Sequence, residues 1–190
     1  IRDRADSTHE IAGHGYRWID YHQVPAEIER EHIERTVSII ESLCGRHPVG
    51  WYTGRTSLNT RRLLGEVGGF LYDSEAYNDD LPYWLDQAPP HLVIPYTLVN
   101  NDFRYLLPNG FRHSEDFFQL LIDAFDQLWQ EGGTLPNIMS VGLHVRISGH
   151  PARARAVARF LDYINEQPQV WICRREDIAR HWIATHPPHQ

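Results

Sequence analysis

The segment His9-Glu10-Ile11-Ala12-Gly13-His14-Gly15-Tyr16-Arg17-Trp18-Ile19-Asp20 holds the most telling spacing in the chain. A histidine after a small-residue turn, with a second histidine four positions later, is a common grip on a divalent metal. Here position 18 is tryptophan. An indole has one N–H donor and no lone pair for a metal. The segment has the layout of a metal motif but lacks its second ligand. Chemistry is still available in it. His14 can polarise a substrate or move a proton, and Tyr16, Arg17 and Trp18 supply donors and a stacking surface.

Three further clusters hold reactive or binding side chains. Gly50-Trp51-Tyr52-Thr53-Gly54-Arg55 follows a short apolar run; Trp51 and Tyr52 read as pocket walls, with Arg55 positioned to hold a carboxylate in a bidentate pair. Tyr72-Asp73-Ser74 ends another run, and Asp79-Asp80-Leu81-Pro82-Tyr83-Trp84 follows. Asp73 is the stronger acidic candidate, because a carboxylate at a strand end can orient an arginine or histidine; Asp80 is a candidate substrate contact. Gly142-Leu143-His144-Val145-Arg146 places His144 at the end of an apolar run, where a polar group needs a partner or a purpose. Histidine is suited to proton transfer near neutral pH. Arg146 is a candidate substrate contact, and His150 reads as incidental. Dinucleotide, phosphate-loop and nucleophile-elbow signatures are missing.

These candidates need elements to position them. Helical spacing predicts a helix over 25–44, stopped by Gly45. Asn59 is predicted to cap a helix through Leu64. Helices are also predicted over 114–130, from Pro151, and over 175–184. Strands are predicted near 10–12 and over 49–52, 69–73, 91–96, 138–145 and 170–173. Residues 77–90 read as an irregular loop of the kind that carries function. Alternating strands and helices imply an α/β fold with a parallel sheet. The pattern alone fits both an open sheet and part of a (β/α) barrel.

The bulk numbers exclude several classes. With 42% apolar and 23% charged residues, the chain reads as a soluble globular protein, taken as one domain over 1–190. No stretch is long and apolar enough for a membrane span. The net charge of -7 argues against nucleic acid as a partner. All 18 basic residues are arginine, which reads as genomic base composition. Two isolated cysteines, Cys44 and Cys173, make no disulfide framework and suit a reducing cytoplasm. The first residue is Ile1 and the single methionine is Met139, which reads as a trimmed chain.

Longer strings carry a resemblance: His14-Gly-Tyr-Arg-Trp-Ile-Asp-Tyr21, Pro48-Val-Gly-Trp-Tyr-Thr-Gly-Arg55, Gly69-Phe-Leu-Tyr-Asp73, Asp79-Asp-Leu-Pro-Tyr-Trp84, His91-Leu-Val-Ile-Pro-Tyr96 and Arg174-Arg-Glu-Asp-Ile-Ala-Arg-His-Trp182. Over nearly its whole length the chain resembles the polysaccharide deacetylase (NodB-like) superfamily. Within it, the chain looks most like the cofactor-independent bacterial allantoinases of the PuuE type. The resemblance implies a distorted (β/α) barrel whose N-terminal strands are missing, on the order of a hundred residues short of a barrel of about 250 or more. It implies a homo-oligomer that hydrolyses the cyclic amide of allantoin to allantoate, with no metal and no cofactor.

Following that pattern, His144 would act as general acid or electrostatic stabiliser, and His14 would bind or polarise the substrate. Asp73 is the fallback base. Trp18, Tyr16, Arg17, Trp51, Tyr52, Arg55, Asp80 and Arg146 would contact the substrate. Two alternatives stand beside this reading. One is a metal-dependent deacetylase acting on N-acetyl sugars, with His14 and Asp20 or His22 in a variant site. The other is an inactive remnant that serves only in binding or oligomerisation.

Overall fold

The computed structural model describes residues 9–188. They group into two compact units, one of residues up to Pro95 together with Cys173 onward, the other Tyr96–Ile172.

The first unit carries the sheet. Strand β1 (Gly50–Trp51) pairs in parallel with β2 (Tyr72–Asp73), and β2 pairs in parallel with β4 (His91–Val93). Strand β3 (Tyr83–Leu85) lies antiparallel on the outer edge of β4, giving the order β1-β2-β4-β3. Side chains alternate across the sheet. Tyr72, Leu92 and Ile94 therefore share one face, packed with Ala179. Asp73, His91 and Val93 take the other.

Helix α1 (Ala26–Cys44) ends at Gly45, whose φ of 71° is the left-handed conformation that closes the helix. Ile33 of α1 packs with Trp51 and with Leu63 and Leu64 of α2 (Thr60–Val67). Asn59 precedes α2 without a side-chain capping bond. Instead the Ser57 and Thr60 hydroxyls donate to the buried Glu29 carboxylate of α1.

The second unit is helical. Helix α3 (Ser114–Glu131) and helix α5 (Pro151–Asn165) bury Phe117, Leu121, Phe125, Phe160 and Ile164 together. Each helix shows an apolar stripe at helical spacing, which is why both were readable from the sequence. A 3₁₀ segment, Asp102–Leu106, precedes α3, and the single-turn α4 (Val145–Ser148) lies between α3 and α5 in the chain. Helix α6 (Arg175–Thr185) returns to the first unit.

Several strand expectations are corrected. Residues 138–145 form no strand; an isolated parallel bridge, Asn101 to Gly142, stands in their place. Residues 10–12 form none either, and Gly13 makes one bridge to Trp51. Val170–Cys173 is not a strand, and Trp171 and Ile172 are exposed. The loop over 77–90 contains β3. The cause is common to all four: a ladder needs a hydrogen-bonding partner, and apolar runs do not reveal one. Among the described residues the sheet is four-stranded and not closed.

Gly50 sits where a Cβ would overlap the Tyr72 ring on the neighbouring strand. Tyr72 in turn donates from its hydroxyl to Glu10 at 2.7 Å. Gly50→Ala is expected to cost about 1–3 kcal/mol through this overpacking. Chemical denaturation checks it; an unchanged midpoint would show that Tyr72 moves aside freely.

Candidate functional site

In the first unit, Gly13 is tied to the β1 edge by Gly13 N–H to Gly50 O at 2.8 Å and Tyr52 N–H to Gly13 O at 3.0 Å. Gly15, with φ of 83°, then turns the chain. This puts His14 beside Tyr52. The rings stack with centroids 5.7 Å apart, and His14 Nδ1 bonds to the Tyr52 carbonyl oxygen. A carbonyl only accepts, so Nδ1 carries the hydrogen, and in the neutral form of the ring Nε2 presents the lone pair.

Trp18 and Arg55 come together as a stack. The Arg55 guanidinium lies over the Trp18 ring, 3.5 Å from its centroid, and the indole is 69% exposed. Arg55 also donates to Thr53 O at 3.3 Å. It pairs with no carboxylate among the described residues, so the expected bidentate anchor is replaced by a cation–π contact. Tyr52 shares a hydroxyl–hydroxyl bond of 3.0 Å with Tyr77, a residue the sequence reading did not single out.

Other candidates sit elsewhere. Trp51 is 2% exposed in the core with Ile33, Leu63 and Leu64, so it cannot wall a pocket; α1 and α2 cover the face of β1 that carries it. Tyr16 packs toward α1, between Arg35 at 5.4 Å and His32 at 5.3 Å, with Arg17 over its ring at 5.9 Å. Asp80 and Arg146 are exposed. Asp20 accepts from His22 N–H at 2.9 Å as a local turn.

Asp73 is fully buried and saturated. It accepts from His91 Nε2 at 2.7 Å, Arg61 Nε at 3.0 Å and Glu75 N–H at 2.7 Å. Burial pushes its carboxyl up, but the bonds from His91 and Arg61 outweigh this and hold it below the ordinary value. Its oxygens are engaged by three donors, so it orients Arg61 and His91 and has no free acceptor for a water. Glu75 was missed in the sequence. It lies two residues past Asp73 and accepts from Thr53 N–H, Thr53 Oγ1 at 2.8 Å and Gly54 N–H at 2.9 Å. Burial raises its carboxyl, opposed by those donors.

In the second unit, His144 does not end a strand; it precedes α4 in extended conformation. Its Nδ1 bonds to Asp102 Oδ1 at 2.7 Å. The other oxygen, Oδ2, accepts from His144 N–H at 2.8 Å and Ser148 N–H at 3.2 Å. Asp102 is fully buried, and side-chain exposure of His144 is 34%. Asp102 fixes Nδ1–H and leaves Nε2 as the working atom, the arrangement of an oriented acid–base histidine. Gly142 makes this possible: Asp102 N–H donates to Gly142 O at 2.9 Å, and a Cβ at 142 would overlap Tyr96 and Asn101. The only sequence signal for Asp102 was the polar run Asn100-Asn101-Asp102, all three buried.

A crystal structure of Puue allantoinase matches with a TM-score of 0.96 and 53% identity, over 100% of this chain and 64% of that one. A structure from Pseudomonas aeruginosa PAO1 assigned as a polysaccharide deacetylase matches with a TM-score of 0.92 and 55% identity, over 95% and 61%. A Schizosaccharomyces pombe protein assigned as a polysaccharide deacetylase is 41% identical over 94% of this chain and 61% of its own length. The chain belongs to the polysaccharide deacetylase (NodB-like) superfamily. Its fold is the mixed α/β fold of that superfamily. No protein-family model matches the chain. The chain spans about three-fifths of the length of these relatives, at 61% for the S. pombe protein.

The residues do not fit a two-histidine metal grip. Trp18 stands four positions after His14, and Arg55 lies on its ring as a positive charge. Among the described residues no three His, Cys, Asp or Glu side chains cluster as ligands. No described helix is long and apolar enough to cross a membrane.

Two measurements test this geometry. Asp73→Asn is expected to lose about 1.5–3 kcal/mol at pH 7, since two charge-assisted bonds lose their anion. Because the folded carboxyl sits below its unfolded value of about 3.9, its contribution is present above that pH and fades as pH falls. The deficit of the variant should therefore shrink below about pH 4 in denaturation curves. Separately, ¹⁵N spectra should find neutral His144 as the Nδ1–H tautomer. Asp102→Asn should mix the tautomers; an unaltered pattern would remove Asp102 as the orienting group.

Proposed function

We propose that the protein is an allantoinase, a hydrolase that opens the cyclic amide of allantoin to allantoate without a metal. The observation that carries this is the Arg55–Trp18 stack, a cation on an indole at the position, four after His14, where a two-histidine metal grip needs its second ligand. The similarity to Puue allantoinase supports the choice of substrate. Opening the ring needs attack of water on the amide carbonyl, stabilisation of the oxyanion and protonation of the leaving nitrogen.

His144 acts as the imidazolium that Asp102 holds and stabilises: its Nε2 proton passes to the leaving nitrogen, and the proton released by the attacking water restores it. His14, with a fixed tautomer, binds or polarises the substrate through Nε2. The exposed Trp18 indole and the Arg55 guanidinium suit a small, flat, carbonyl-rich ring. Asp73 takes no proton in this scheme, because its oxygens are engaged.

Assays on the complete gene product test the reading. Allantoin hydrolysis should survive exhaustive chelation, and His144→Ala should lower kcat by about 10²–10⁴-fold, the usual contribution of general acid–base catalysis. Loss of activity on chelation with recovery on added zinc would sink the metal-free mechanism. Acetate release from N-acetylated glycans, with no allantoin turnover, would favour the deacetylase activity for which several relatives are named.

A further inference from the structure

Glu75 is a largely enclosed carboxylate with no role in the reaction above. Its two oxygens are placed with unusual economy. Oε1 takes Thr53 N–H and the Thr53 hydroxyl, and Oε2 takes Gly54 N–H. Its own backbone is immobilised at both ends. Asp73 Oδ1 accepts from Glu75 N–H at 2.7 Å, and Arg61 donates to Glu75 O at 3.1 Å.

The Thr53 N–H and the Tyr52 C=O belong to one peptide unit. Glu75 sits on the N–H end of that unit, and His14 Nδ1 sits on the C=O end. A peptide unit is planar and resonance-linked. Hydrogen bonds at its two ends polarise one another. An anionic acceptor at the N–H shifts electron density onto the carbonyl oxygen and strengthens it as an acceptor.

We propose that Glu75 is a positioning residue for His14, acting through the Tyr52–Thr53 peptide to hold its Nδ1–H tautomer and keep the Nε2 lone pair outward. The effect is that of the Asp102 carboxylate on His144, with a peptide unit interposed. It deepens the proposed role of His14 and rests on that reading only for its consequence in turnover. A glutamine cannot substitute fully, because its amide offers one acceptor oxygen and no charge.

Gly54 is part of the device. Its φ of 66° lets the turn present two successive N–H groups to one carboxylate, and a Cβ there would crowd the Tyr52 and Tyr77 hydroxyls. The same turn carries Arg55, whose N–H donates to the Thr53 hydroxyl at 3.2 Å. A simple loop clamp would hold the turn without setting a tautomer, and this difference can be measured.

The test follows His14 and His144 by long-range ¹H–¹⁵N spectra of the complete labelled protein. In Glu75→Gln, His14 should move from a single Nδ1–H tautomer toward a mixture, while His144 stays unchanged as an internal control. Identical His14 signals in the variant and the parent overturn the proposal. If Glu75→Gln does not fold, the parent protein answers instead. Scalar couplings across Thr53 N–H to the Glu75 carboxylate and across His14 Nδ1–H to the Tyr52 carbonyl should both be present, and absence of either overturns it. Turnover of allantoin is read in parallel. Shifted His14 signals in a protein that does not hydrolyse allantoin leave the relay standing and sink the proposed reaction. Unchanged His14 signals sink the relay whatever the turnover.

Discussion

A single buried carboxylate organises the first unit. Asp73 is fully enclosed, and an isolated charge there would be costly to keep out of water. Three donors make it tolerable: His91 from the next strand, Arg61 from α2, and the N–H of Glu75 just past the end of β2. Each of those groups is fixed in return. Arg61 reaches on to the Glu75 carbonyl, and Glu75 holds the Thr53–Gly54 turn. That turn sets where Arg55, Trp18 and His14 can lie. The network therefore transmits the rigidity of the sheet to residues that are themselves exposed.

Two histidines are pre-oriented by different means. His144 meets Asp102 directly, and His14 meets a backbone carbonyl. Both bonds occupy Nδ1 and leave Nε2 for other work. A directly bonded carboxylate can stabilise a full imidazolium, which suits proton donation. A carbonyl stabilises positive charge less, which suits a histidine that binds or polarises. The Arg55–Trp18 pair adds positive charge beside an aromatic face four positions after His14, where a two-histidine metal grip would need its second ligand.

Much of the helical architecture was legible from the sequence. Helices predicted over 25–44, 114–130, from Pro151 and over 175–184 stand at Ala26–Cys44, Ser114–Glu131, Pro151–Asn165 and Arg175–Thr185; apolar spacing marked the first three, with Gly45 and Pro151 as end signals. Strands were harder. The runs near 138–145 and 170–173 look as apolar as β4, but strand formation depends on a partner that lies far away in sequence. β3 hid inside a loop rich in proline and aspartate for the same reason. His14, His144, Trp18 and Arg55 were identifiable as residue types at unusual positions. Glu75 and Asp102 were not, since an acidic residue in a turn-rich stretch usually faces solvent.

What the sequence determined by itself was the set of chemical groups and the loss of one metal ligand: tryptophan at 18 has no lone pair in any fold. It also determined family resemblance through long matching strings. The tertiary structure decided which groups are available. It buried Trp51, saturated Asp73, turned Arg55 from a carboxylate anchor into a lid on an indole, and supplied Asp102 and Glu75 as unannounced partners. The physical reason is that burial and hydrogen-bond pairing are properties of long-range contacts. Residues 38 positions apart, as His14 and Tyr52 are, reveal their bond only when the chain has folded.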